Sequence, residues 1–417
     1  MDSKRADIQN GVIVIDKGLI REVAESTDES ARKEIDAHGC VAMPGLVNTH
    51  CHIGMTLFRG YADDLPLKVW LEERIWPAES QTAEDDIYRG SLLGCLEMIR
   101  SGTTAFADMY FHMNRTAQAV EESGLRAALS YGMIDFGDTA KADAELKEGI
   151  RFCRDWNGRG NGRITTMYGP HAPNTCSREF LLRVKGQSEK DELGCHIHIL
   201  ETQGERDAMR AEHGISSVKY LKNLGFFESD VLAAHCVWVT EEEIGILADS
   251  GVHVSHNPVS NMKLGSGIAP VAKMLAEGVR VSLGTDGCAS NNNLDMFEEM
   301  KTAALLQKVS MKDPSVLSAR EVLKMGTVNG AKALGLNSGI LKAGFNADLI
   351  LIDMKQAHLT PVFDVPSHLV YSASGRDVRT TIVNGSILME NSRIVGLDEE
   401  QILRSMEEHA KGLHFQS

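Results

Sequence analysis

The sequence predicts a parallel (β/α)₈ barrel of TIM type, in the α/β class, with a small β-sandwich formed from both chain ends. Three observations lead there. Eight short β-rich runs end in polar residues and alternate with helical patterns, the rhythm of a parallel sheet. A length of 417 residues suits an enzyme-sized barrel with an accessory domain better than one small core. Both flanks lose this rhythm and read as turn-punctuated strands. A doubly wound sheet is the runner-up, but it would show a Gly-rich first turn, and none is present.

Taken in order, Gly11–Ile15, the turn at Asp16-Lys17-Gly18 and Leu19-Ile20 form a hairpin. The barrel strands are expected at Leu46–His52, Thr103–Met109, Ala127–Ile134, Arg163–Pro170, Gly194–Glu201, Val231–Cys236, Val252–Asn257 and Val281–Asp286. Helical patterns between them include Glu84–Ser101, Ala117–Ser123, Lys141–Arg154 and Glu241–Ser250. The connection Ile53–Thr82 is long for such a unit and reads as a lid or binding loop. Strands return at Gly339–Leu341, Asn346–Ile352, Thr380–Val383 and Ser386–Met389. The expected division is a sandwich from 1–45 plus 337–397, a catalytic barrel at 46–336 and a closing helix at 398–417.

A net charge of −15 argues against nucleic-acid partners, which need a basic face to displace counterions. No apolar stretch follows the polar start, and no run of about 18 apolar residues occurs. A cytoplasmic protein without a membrane partner is the expectation. Eight scattered cysteines with no C-x-x-C pair read as free thiols of a reducing compartment.

The chemistry collects at strand ends. In Asn48-Thr49-His50-Cys51-His52, strand alternation sends His50 and His52 to one side and Cys51 to the other. Alone, such a pair also occurs without a metal. His196-Ile197-His198-Ile199-Leu200-Glu201, Ala234-His235 and Gly284-Thr285-Asp286-Gly287 end three later runs, where barrel enzymes gather their groups. Three neutral imidazoles and a carboxylate leave a position open for water, as a catalytic Zn²⁺ or Fe²⁺ requires.

Three stretches carry a family resemblance: Pro44–His52, Ser255-His256-Asn257-Pro258-Val259-Ser260-Asn261-Met262-Lys263-Leu264-Gly265, and Gly284-Thr285-Asp286-Gly287-Cys288-Ala289-Ser290-Asn291-Asn292. Together they resemble the amidohydrolase superfamily, within it the 5′-methylthioadenosine/S-adenosylhomocysteine deaminases and, nearest, the 5′-deoxyadenosine deaminases. The resemblance implies metal ligands at His50, His52, His198 and Asp286, with His196 left as packing deeper in the barrel. Two-metal members use a lysine on the fourth strand; Arg163–His171 has none, so one ion is implied, Zn²⁺ first and Fe²⁺ or Mn²⁺ as alternatives.

The implied reaction is hydrolytic deamination of adenosine-type nucleosides. Asp286 takes a proton from the attacking water, Glu201 protonates the ring nitrogen, and His235 stabilises the tetrahedral centre. Substrate contacts are implied at Glu79, for the ribose hydroxyls, and at His171. Glu79 also reads as a first-turn helix carboxylate. Trp76 either covers the base or anchors the lid. A homo-oligomer is implied, the tetramer being favoured, and the family handles by-products of S-adenosylmethionine.

One departure bears on specificity. Members that favour S-adenosylhomocysteine carry two arginines for its carboxylate; alignment by hand puts Tyr131 and, near the second, Glu145 there. That favours uncharged 5′ ends: 5′-deoxyadenosine, 5′-methylthioadenosine and adenosine. Arg126 and Arg151 are the nearby cations that could substitute. Another aminated ring (guanine, cytosine or a triazine) is the alternative, which would leave Glu79 without a diol. A non-catalytic scaffold is remote, because no expected site residue is lost.

Overall fold

The computed structural model describes residues 8–66 and 69–412. Its central sheet has eight strands in chain order: β4 (Leu46–Cys51), β5 (Thr103–Tyr110), β6 (Arg126–Met133), β7 (Ile164–Pro170), β8 (Cys195–Ile199), β9 (Val231–His235), β10 (His253–His256) and β11 (Arg280–Leu283). Every neighbouring pair is parallel. The seam between β11 and β4 is closed largely by side chains. Asn48 donates to the Thr285 hydroxyl at 2.7 Å, and the Thr49 hydroxyl donates to the Leu283 carbonyl at 2.9 Å. Asp286 N–H then reaches the His50 carbonyl at 2.9 Å. Gly284 has to be glycine here: a β-carbon would lie 2.6 Å from Ser255 Oγ and 2.8 Å from His50 N.

Helices cover the outside, and their starts are written in the sequence. Glu84–Ser101 is followed by left-handed Gly102 (φ +83°), which stops the helix one residue before β5. Thr240 and Glu243 make a reciprocal cap on Glu241–Asp249. The large apolar core lies between strands and helices, while Val47, Ala105, Ala107, Ala128 and Leu232 fill a smaller cluster of their own.

The chain ends build two more sheets. β1 (Val12–Asp16) and β2 (Leu19–Ala24) form the expected hairpin, with Lys17 and Gly18 both left-handed at its turn. β3 (Cys40–Pro44) pairs antiparallel with β12 (Leu349–Asp353), followed by β13 (Val378–Val383), β14 (Ser386–Glu390) and β15 (Arg393–Ile394). Ile20, Ala347, Leu349, Leu351 and Ile382 are buried in one cluster with Ile13, Ile15 and Val23 packed against it, joining hairpin and sheet.

Two expectations need correcting. Gly339-Ile340-Leu341 is bends and coil, not strand; left-handed Gly339 (φ +83°) turns the chain back before β12. Ile53–Thr82 is not plain loop: it holds a 3₁₀ turn (Ile53–Phe58), a π-helical turn (Trp70–Ile75) and a four-residue helix (Trp76–Glu79), with 67–68 outside the described residues. The closing helix runs Glu399–Gly412; residues 413–417 lie outside the described set. All eight cysteines are free, and no helix among the described residues is long and apolar enough to cross a membrane.

Candidate active site

The expected imidazoles and carboxylates meet at the C-terminal mouth of the barrel. Cys51 points away, its Sγ 3.2 Å from the Ala107 carbonyl, so His50 and His52 share the inward side. Ring nitrogens of His50, His52 and His198 lie within 4.8 Å of one another, and so do those of His50 and His235 with an oxygen of Asp286. Asp286 Oδ1 is 3.3 Å from His50 Nε2 and 3.2 Å from His52 Nε2. Glu201 Oε2 stands 3.9 Å from His235 Nε2. Leu200, His235 and Asp286 all take left-handed φ (+50°, +73° and +62°) although none is glycine. Such strain persists only where surrounding structure enforces it.

That enforcement is visible behind the site. The Nδ1 side of each imidazole is held: His52 by the Met109 carbonyl, His198 by the His171 carbonyl at 2.8 Å, His50 by His196 Nε2 at 2.9 Å. The Nε2 atoms of His50 and His52 are thereby left facing Asp286. Asp286 Oδ2 accepts from the Ser260 hydroxyl at 2.6 Å and from Ser290 at 3.0 Å. His235 Nδ1 accepts from the Asn261 amide at 2.9 Å and from Asn257 at 3.3 Å, which puts its proton on Nε2, toward Glu201.

This donor set fits a divalent cation. His50 Nε2 is buried without a hydrogen-bond partner although it sits beside a carboxylate. Burial pulls the His50 imidazole down to about 3 and His198 well below its usual range, leaving neutral lone-pair donors. At His52 burial opposes the charge, but Asp286 and Asp108 outweigh it and lift the ring to about 9. The carboxylates thus draw positive charge to this point, and an ion can supply it in place of a proton.

The expected substrate residues line up nearby. Glu79 is the last residue of the one-turn helix Trp76–Glu79 and so also lies in its first turn, as that reading has it; beyond this its Oε1 accepts the Tyr110 hydroxyl at 2.6 Å. Burial pushes its carboxyl up to about 7, against the pull of Tyr110 and His52. His171 Nδ1 is 2.9 Å from the Thr175 hydroxyl, its ring 4.8 Å from that of His198, and burial pulls it to about 4. Trp76 opens the same short helix as Glu79 and is half-buried.

The specificity argument from Tyr131 does not survive. On β6, Ser130 faces inward toward His196, so Tyr131 turns outward and lies against Glu145 on the helix Thr139–Trp156. Arg126 is equally remote. It sits at the opposite end of β6, buried against Asp348 at 2.7 Å and tied to Asn384 at 2.9 Å. Arg151 lies exposed, paired with Glu148 at 2.6 Å.

Sequence reasoning missed the supporting layer. His196, read as packing, holds His50. Asn257 and Asn261, four apart around Pro258–Lys263, present both amides to His235. These residues stand inside the motifs quoted above, and the i, i+4 spacing was the available signal.

An amidohydrolase family profile matches residues 41–388, most of the chain. The chain belongs to the amidohydrolase family. This amidohydrolase is 61% identical over 413 residues to a 5′-deoxyadenosine deaminase of Methanosarcina acetivorans, covering 99% of this chain and 96% of that one. It is 53% identical over 379 residues to a 5-methylthioadenosine/S-adenosylhomocysteine deaminase of Pelotomaculum thermopropionicum, covering 91% and 87%. Among solved structures, an adenosine deaminase from Xanthomonas campestris with bound zinc superimposes with a TM-score of 0.94 at 32% identity, covering 97% and 94%.

Proposed function

We propose that this amidohydrolase hydrolytically deaminates adenosine-type nucleosides to their inosine analogues and ammonia. 5′-Deoxyadenosine and 5′-methylthioadenosine lead, adenosine and S-adenosylhomocysteine following. The observation that carries the reading is the placing of Glu201 and His235 beside a buried His/His/His/Asp donor set. The high identity to 5′-deoxyadenosine deaminases supports placing 5′-deoxyadenosine first. Eight free thiols suit a reducing cytoplasm.

His50, His52, His198 and Asp286 would hold one divalent ion, zinc by analogy with the Xanthomonas relative. When bound, such an ion acidifies water and makes it nucleophilic at neutral pH. Asp286 receives the water proton, its second oxygen steadied by Ser260 and Ser290. Burial pushes the Glu201 carboxyl up, which favours its role as the donor of a proton to the ring nitrogen beside carbon 6. His235 Nε2–H donates to the oxygen added at that carbon. Asp286 passes its proton to the amine, the C–N bond breaks and ammonia leaves, while the proton of the added hydroxyl returns to the Glu201 carboxylate and carbon 6 becomes a carbonyl.

Glu79 is assigned to the ribose diol. Glu79→Ala is expected to raise KM for nucleosides about 10-fold or more, kcat changing less, as loss of a charged hydrogen-bond partner implies. The ionised carboxylate accepts both hydroxyls. With its pKa near 7, kcat/KM should rise with pH through that value. The rise should vanish in Glu79→Gln; a pH profile unchanged by that substitution places the diol elsewhere. Ammonia release across nucleosides and free bases tests the reading as a whole.

A further inference from the structure

We infer that Glu205 is a positioning residue that aims Glu201. This rests on the deaminase reading, within which Glu201 is the proton donor. Glu205 Oε1 accepts the Leu200 N–H at 2.9 Å and Oε2 accepts the Glu201 N–H at 2.9 Å, while Ser217 donates to Oε1 at 2.7 Å. One carboxylate therefore spans the two peptides that carry the chain from β8 into the donor. The turn it holds is strained, with Leu200 left-handed at φ +50°. From the other side, the Leu200 carbonyl accepts the N–H groups of Val237 at 3.0 Å and Trp238 at 3.1 Å. The residue before Glu201 is gripped from both directions.

An ordinary helix cap does not account for this. Glu205 stands three residues after Thr202, which caps Gln203–His213 and accepts the Glu205 N–H at 3.1 Å. Elsewhere in this protein a glutamate so placed reaches back to its own cap: Glu243 to the Thr240 N–H at 2.7 Å, Glu321 to the Ser318 N–H at 2.7 Å. Glu205 passes over Thr202 and bonds one and two residues further back. Taking a carboxylate out of water is costly unless its oxygens are hydrogen-bonded, and on half-buried Glu205 two of the three bonds go to the backbone N–H groups of Leu200 and Glu201.

The test is a double-variant cycle on the metal-loaded enzyme, read by ammonia release from 5′-deoxyadenosine. Glu205→Gln turns an amide NH₂ toward one of the two N–H groups and breaks that arm of the fork. A donor displaced by about 1 Å loses on the order of 100-fold, so kcat should fall about 10- to 100-fold, with KM within about threefold and metal content unchanged. In a Glu201→Gln background the same change should cost less than about threefold, because the group it aims is already disabled. Thr202→Ala removes the helix cap alone and should lower Tm with kcat kept. If Glu205→Gln does not fold, Glu205→Asp keeps the charge but falls one methylene short, and the same non-additive loss is expected. Losses that multiply in the double variant, or a kcat within about twofold of wild type in Glu205→Gln, overturn the inference. A wild type inert on every nucleoside removes the deaminase reading and the inference with it; an active wild type indifferent to Glu205→Gln removes the inference alone.

Discussion

Glu201→Gln is expected to lose at least ~100-fold in turnover while keeping its metal and its fold. The substitution preserves shape and removes only the transferable proton. Glu201 lies beside His235 and near the Asp286 carboxylate, and burial already holds its proton on more firmly than in water. An amide there can still hydrogen-bond a ring nitrogen but cannot protonate it. A 100-fold loss corresponds to about 2.7 kcal/mol of transition-state stabilisation, the scale of one general acid. Near-normal turnover by a metal-loaded Glu201→Gln protein would move the proton transfer to another group.

Removal of the metal should have a comparable or larger effect. Chelation is expected to abolish ammonia release, and added Zn²⁺ to restore it, with elemental analysis giving one ion per active chain. The physical ground is the gathering of imidazoles around Asp286, with His50 Nε2 buried and unpartnered. Without a cation, Asp286 draws a proton onto His52 instead. Ligand exchange competes with that proton, so zinc uptake should weaken as pH falls. Full activity after thorough chelation, or two ions per active chain, would refute the single-ion assignment.

Much of this was legible in the sequence because the governing signals are local. The barrel strands are short apolar runs, several of them followed by polar site residues, and Glu84–Ser101 is bounded as its helical pattern indicates. The gathering of His50, His52, His198, His235 and Asp286 follows from their shared position at strand ends once a barrel is assumed. What was not legible depends on direction and distance. Tyr131 matched an alignment position, but strand alternation faces it outward onto Glu145. Arg126 is close in sequence to the mouth strands yet belongs to the opposite end, where Asp348 is brought to it from 222 residues away. His196 was placed correctly inside the barrel, while its bond to His50 joins strands 146 residues apart in sequence. The helical turns within 53–82 escaped because short segments carry little periodicity.

The central claim, that the buried donor set serves deamination of an adenosine-type nucleoside, is tested most directly by steady-state ammonia release from the zinc-loaded protein. The panel comprises 5′-deoxyadenosine, 5′-methylthioadenosine, adenosine, S-adenosylhomocysteine, guanine and cytosine. The expected result is release from the nucleosides, with kcat/KM highest for 5′-deoxyadenosine or 5′-methylthioadenosine and little turnover of the free bases. Faster release from guanine or cytosine than from any nucleoside, or none from the nucleosides with zinc bound, would contradict it.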